Sequence, residues 1–251
     1  LAADLEVPIV IEEPQPVERY EVSDFGGWYI RGDLDYHKSK IRGTEYITYG
    51  IEPCPGGCDD GFQGVGGTKS FDTAKLKSSF SIGAGVGNQI SRHFRTDLTL
   101  DYWFKTKFRG STSDDGSSGC GGPGVPCESV DRTKMSALLL LANAYVDLGT
   151  WNGITPYVGA GIGGAHIKWE DLENDANVGF ATHKGTKSWR FAYALMAGAS
   201  YCLTDRMVLD AGYRFSRIEG GRMFERNGAG PGFDKGCNTH EVRAGLRYSF
   251  G

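Results

Sequence analysis

The chain has 251 residues, with 27 Lys and Arg against 31 Asp and Glu, a formal net charge of −4. That balance leaves no basic excess to neutralise phosphates along a duplex, which excludes nucleic-acid binding as the main activity. The longest aliphatic run, Ala137 to Ala142, is far short of the roughly 20 residues a membrane helix needs, so any crossing of a bilayer would have to use strands.

In chain order, Leu1-Ala2-Ala3-Asp4 reads as the small-residue end of a secretory signal followed by a mature terminus. Residues 1–26 then combine Pro8, Pro14 and Pro16 with Glu6, Glu12, Glu13 and Glu18, a composition suited to an extended tail, expected on the periplasmic side. From residue 27 onward, eight stretches alternate apolar and non-apolar residues at a period of two: 28–38, 76–90, 94–108, 134–148, 154–169, 187–203, 207–218 and 240–250. The clearest is 94–108, where Leu98, Leu100, Tyr102 and Phe104 take one parity and Asp97, Thr99, Asp101, Trp103 and Lys105 the other. The connections alternate in length. Ser91-Arg92-His93, Thr150-Trp151-Asn152-Gly153 and Thr204-Asp205-Arg206 are tight turns, whereas 39–75, 109–133, 170–186 and 219–239 are long and rich in Gly, Ser, Asp or Pro. Short turns on one side and long loops on the other are the pattern of bacterial outer-membrane barrels, and an even strand number puts both termini on the short-turn side. The expected fold is therefore all-β: an eight-stranded antiparallel transmembrane β-barrel over 27–251, with short periplasmic turns and long extracellular loops.

Parity assigns the two faces. Trp28, Ile30, Leu34, Tyr36, Phe80, Ile82, Leu98, Leu100, Tyr102, Leu138, Leu140, Val158, Ile162, Phe191, Leu195, Leu209, Val242 and Leu246 share an outward belt nearly free of charge, with aromatics toward its ends. Inward fall Arg31, Asp33, Asp35, Asp97, Asp101, Lys105, Lys107, Asp147, Arg190, Asp210, Arg214, Glu241, Arg243 and Arg247. An eight-stranded barrel is just wide enough inside for side chains, so these charges are expected to meet as buried networks with Tyr29, Asn143, Tyr145 and Tyr157, giving a plugged lumen. Glycines such as Gly83, Gly85, Gly87, Gly159, Gly161 and Gly163 share the inner parity and make room there. A soluble sandwich would have to expose the whole apolar belt to water.

Just beyond that belt, on the long-loop rim, the outward parity turns basic: Lys38, Lys40, Arg42, Arg132, Lys134, Lys168, Lys187 and Arg217. Two readings stand. In one, charged strand ends simply meet water; in the other, these side chains bind lipopolysaccharide phosphates. The opposite rim offers only a few cations such as Arg92 and Arg206, and this asymmetry favours the second.

Six cysteines include two close pairs bracketing Gly/Pro-rich bends, Cys54 with Cys58 and Cys120 with Cys127, which are expected to form local loop disulfides in an oxidising compartment; Cys202 and Cys237 are not expected to bond. A zinc site is disfavoured because neighbouring residues add no diagnostic ligands. The run Asp171 to Asn177 alternates oxygen ligands but has Ala176 where a calcium loop needs Gly and no acid at its twelfth position, so an EF-hand is rejected, with looser divalent binding left open beside a solvated acidic loop. His166, Ser188, Ser216 and His240 are the plausible ingredients of a hydrolase, yet no spacing unites a base, an orienting carboxylate and a nucleophile. No enzyme activity, metal or cofactor is expected.

The segments Gly27-Trp28-Tyr29-Ile30-Arg31-Gly32-Asp33, Asn143-Ala144-Tyr145-Val146-Asp147-Leu148-Gly149, Thr155-Pro156-Tyr157-Val158-Gly159-Ala160-Gly161 and His240 to Phe250 resemble, in this order, the opacity-like, porin-family outer-membrane β-barrels, in particular the major surface proteins of alphaproteobacteria such as Brucella and rhizobia. The resemblance covers about 27–250 and leaves out the cysteine-bearing loops. It implies insertion by the barrel-assembly machinery, guided by a last strand ending in an aromatic; Gly251 follows Phe250 and departs from that pattern. The resulting expectation is a structural and surface-interaction protein of the cell outer membrane. Its partners would be membrane lipid, lipopolysaccharide and the assembly machinery, with protein contacts through the loops or the tail. The alternative is a small pore or ligand-binding barrel.

Overall fold

The computed structural model describes residues 27–53, 62–115, 124–226 and 230–250. Among these residues are fifteen strands: β1 (Gly27–Ile41), β2 (Thr44–Pro53), β3 (Phe62–Ser70), β4 (Thr73–Leu76), β5 (Ser79–Ser91), β6 (Phe94–Asp114), β7 (Cys127–Asp147), β8 (Ile154–Trp169), β9 (Leu172–Ala176), β10 (Gly179–Gly185), β11 (Lys187–Cys202), β12 (Met207–Ile218), β13 (Gly221–Arg226), β14 (Gly230–Asp234) and β15 (Cys237–Ser249). Eight of them close a ring of antiparallel neighbours, β1-β5-β6-β7-β8-β11-β12-β15, and β15 returns to β1 through a ladder from Tyr29↔Ser249 to Ile41↔Cys237. Closure leaves no edge in the ring, the condition for strands to cross a lipid layer with every backbone group paired. The fold is an eight-stranded antiparallel β-barrel.

The alternation read from the sequence is the burial pattern of the wall: along β1, residues 30 to 41 alternate exposed and buried without a break. Trp28, Leu34, Phe80, Leu98, Ile162, Leu195, Val242 and their neighbours form an exposed apolar belt around the ring, the surface that meets lipid. The short turns lie at one end. The Trp151-Asn152-Gly153-Ile154 hairpin shows how they are made: Asn152 (φ 49°) and Gly153 (φ 79°) both have positive φ, as a type I′ turn requires, while Trp151 and Ile154 exchange backbone hydrogen bonds of 2.9 and 3.0 Å.

At the other end the structure departs from expectation. The connections that composition reads as loops contain seven strands, and β6 and β7 run to Asp114 and from Cys127, well beyond the predicted ends at 108 and 134. β9 pairs with the upper part of β7, β10 with β9 and β13, β14 with β13 and β2, and β3 with β2, so a second tier of sheet rises from the wall. Gly and Ser tolerate strand geometry when partners supply the hydrogen bonds; only tertiary pairing decides this.

One inward assignment is corrected. Lys105 and Lys107 are exposed on the outer wall, not in the lumen. Between the pairs Trp103↔Ala137 and Thr106↔Met135, β6 carries one residue more than β7, and this β-bulge inverts the parity of everything after Phe104. Lys105 pairs instead with Glu170 outside the barrel. The predicted tail, residues 1–26, and Cys54, Cys58 and Cys120 lie outside the described residues, so both predicted loop disulfides do too. Cys202 and Cys237 are free, the first exposed and the second buried.

Candidate functional site

The inward-facing charges meet one another in pairs and clusters. Nearest the short turns, Arg95 donates to Asp147 (3.1 Å) and lies over the rings of Tyr145 and Tyr157, and Arg247 donates to Asp210 (2.6 Å) and to Ser200 (2.9 Å). Higher up, Arg31 bridges Asp33 (2.7 Å) and Asp97 (2.9 Å), Arg243 contacts Asp33 (3.2 Å), Asp35 (3.0 Å) and Asp101 (3.4 Å), and Arg214 binds Glu241, Asp101 (2.6 Å) and Asp35 (3.7 Å). Asn143 donates to Asp97 at 2.7 Å. These side chains fit because glycines line the wall beside them: a Cβ on Gly83 would sit 2.0 Å from Asp101 Oδ1, on Gly161 2.1 Å from Asn143 Oδ1, and on Gly87 2.3 Å from the Tyr29 ring. Arg190 stands apart, donating to Asp234 (2.5 Å) near the second tier.

Beside and beyond the charged residues the interior also holds an apolar cluster. Trp103, Phe108, Met135, Leu139, Leu141, Ile167, Trp169 and Ile218 pack with Leu172, Met223 and Phe224 from the tier into one buried cluster. Sequence parity missed this cluster, although the unbroken run Leu138 to Leu141 signalled it: four apolar residues in succession make both faces of a strand apolar. Beside it lies His37, fully buried against Trp103 (ring centroids 4.5 Å).

The outward basic residues are divided among three places. Arg42 and Arg217 both bind Glu219 (2.9 and 3.3 Å), near Lys38 and Lys40 on β1. These two guanidiniums, Arg42 foremost, hold the Glu219 carboxyl below the usual carboxylate range. Lys168 and Lys187 stand directly opposite each other on β8 and β11. Arg132 and Lys134 lie on β7, where they line a groove of about 640 Å³ with Lys75, Lys77, Lys107 and Arg109, four cations that sequence reading did not place on this rim. Sequence could not gather them, because they meet only through the β4-β6-β7 pairing and the β6 bulge.

The hydrolase ingredients are not brought together. His166 and His240 face outward, against Trp189 and Tyr213 respectively, whereas Ser188 and Ser216 have the inward parity of their strands.

Residues 16–250 match the family described as "Outer membrane protein beta-barrel domain". The chain is 38% identical over 275 residues to an uncharacterised protein of Brucella abortus (strain 2308), covering 99% of this chain and 92% of that protein. It is 31% identical over 185 residues to a putative adhesin of Rickettsia bellii (strain RML369-C), covering 69% and 77%. Among solved structures it is similar to the outer membrane protein OprG of Pseudomonas aeruginosa, with a TM-score of 0.48 at 15% identity, covering 89% of this chain and 96% of that one.

Proposed function

Since the chain belongs to the outer-membrane protein β-barrel domain family and resides in the cell outer membrane, we propose that it is a non-enzymatic structural and surface-interaction protein with a plugged lumen. The observation that carries this reading is the set of buried ion pairs that, together with a buried apolar cluster, faces the interior of the ring. Tight packing of an eight-stranded interior leaves water and ions no continuous path. Function then falls to the outside: the basic rim to lipopolysaccharide, and the strand tier built from the long connections to an external protein partner. The name of the Rickettsia relative, a putative adhesin, supports contact of that kind. Residues 1–26 would form a periplasmic tail beside a barrel inserted by the barrel-assembly machinery, and the two loop cysteine pairs would close as disulfides.

The test is conductance. Full-length protein in planar bilayers is expected to show no large, stable channel. Reproducible ohmic conductance of porin size would overturn the plugged lumen and favour a pore.

A further inference from the structure

We infer that the groove between β4, β6, β7 and β9 is a binding site for the phosphorylated headgroup of an outer-leaflet glycolipid carrying two phosphates. The inference deepens the lipopolysaccharide reading of the rim and rests on it, but assigns the contact to one built site instead of a diffuse girdle.

Three observations carry it. The first is like charge placed face to face. Lys107 is the direct cross-strand partner of Lys134, Arg109 of Arg132, and Lys75 of Arg109. Directly opposed like charges destabilise a sheet unless a counter-ion sits between them. Six cations line the groove against three carboxylates. Two of those three are already engaged, Glu170 by Lys105 and Asp171 by the Gly185 amide at 2.9 Å. Arg132 faces Glu173 across the ladder to β9 and reaches Asp175 at 3.9 Å, and among the described residues Lys75, Lys77, Lys107, Arg109 and Lys134 have no carboxylate within salt-bridge distance.

The second is height. On β6 the last lipid-facing aromatics are Tyr102 and Phe104, packed edge to face at 5.4 Å; Lys107 and Arg109 follow on the same outer wall. Lys107 stands three positions after Phe104 along the strand, roughly 10 Å of rise. A headgroup whose acyl chains lie against the belt would present its phosphates here.

The third is how the site is made. The bulge after Trp103 turns Lys105 and Lys107 out of the lumen, where an unbroken alternation would have placed them, and brings Lys107 level with Lys134. Guanidinium and ammonium groups together suit a phosphate pair, the first for bidentate contacts and the second as mobile point charges. A polysulfated glycan would meet the same charges, but contact with the apolar belt directly below favours a lipid.

The test uses the full chain in dodecyl maltoside micelles, titrated with bisphosphorylated lipid A, its dephosphorylated counterpart, inorganic pyrophosphate and heparin. The phosphorylated lipid is expected to bind about tenfold or more tighter than the dephosphorylated one, the worth of a single charge-assisted pair. A variant with Lys107→Gln, Arg109→Gln, Arg132→Gln and Lys134→Gln should lose that preference. A control with Lys38→Gln, Lys40→Gln, Lys168→Gln and Lys187→Gln, equal in charge removed, should keep it. The groove variant should also melt no lower than wild type in micelles, because its opposed charges repel; if it fails to fold, Lys107→Gln with Lys134→Gln alone should still reduce the preference severalfold. Equal loss in both four-site variants would overturn the groove while leaving a diffuse basic rim. No loss in either would overturn both. Groove-dependent binding of pyrophosphate or heparin as tight as that of the lipid would also overturn the proposal, by showing a site for free polyanions.

Discussion

Replacing Arg214 by Met tests whether the lumen is held by its ion network. Arg214 is fully buried and serves Glu241, Asp101 and Asp35, and with Arg31 and Arg243 it forms a cluster of three guanidiniums facing five carboxylates, Asp33, Asp35, Asp97, Asp101 and Glu241. Met fills similar volume but leaves those five carboxylates to two cations. Removing one partner of a buried pair costs about 3–5 kcal/mol, because the remaining charge stays desolvated. Adding Glu241→Gln removes one orphaned charge and should return part of the loss, with a coupling of about 1–3 kcal/mol. The contrast is Lys105→Met on the outer wall: its ion pair with Glu170 is more than half exposed on the lysine side and screened by solvent, so its loss should be far smaller than that of Arg214→Met. Urea unfolding in micelles, followed by tryptophan fluorescence, measures all three. A loss below about 1 kcal/mol for Arg214→Met, or strict additivity with Glu241→Gln, would refute the claim that charge pairing holds the interior.

Gly163→Ala should impair folding far more than Gly32→Ala, since the new methyl would lie 1.9 Å from the Leu140 backbone oxygen, whereas at Gly32 the nearest atom is 3.9 Å away; the heat-modified shift on gels reads the folded fraction. In folded protein a thiol reagent should alkylate Cys202, which is exposed, and spare Cys237, which is buried; peptide mass spectrometry before and after denaturation separates the two. Because Arg42 and Arg217 depress the Glu219 pKa, any stability the carboxylate gives is full above its ordinary titration range and is lost as pH falls through the lowered value. Glu219→Gln should abolish that pH dependence of hydrogen exchange at the β12–β13 connection, and an unchanged profile would assign it to another group.

Strand period is a local property, and so the barrel wall is legible from residue order alone. Alternation along 28–38 and 94–103, the apolar belt, the tight turns and the inward parity of Arg31, Asp33, Asp97, Arg214 and Arg243 all follow from which residues stand two apart, and a one-residue error would have inverted a whole face. What the sequence could not determine is whatever depends on a partner strand. The β6 bulge exists only relative to β7, and it moved Lys105 and Lys107 from the expected lumen to the outer wall. The strands of the second tier draw their hydrogen bonds from segments far apart in the chain, β14 from β2 and β10 from β13, so their Gly-rich composition suggested loops. The groove cations likewise come from β4, β6 and β7, and only the register of three strands sets like charge against like charge. Periodicity reports which way a side chain points; tertiary pairing alone decides what it meets there.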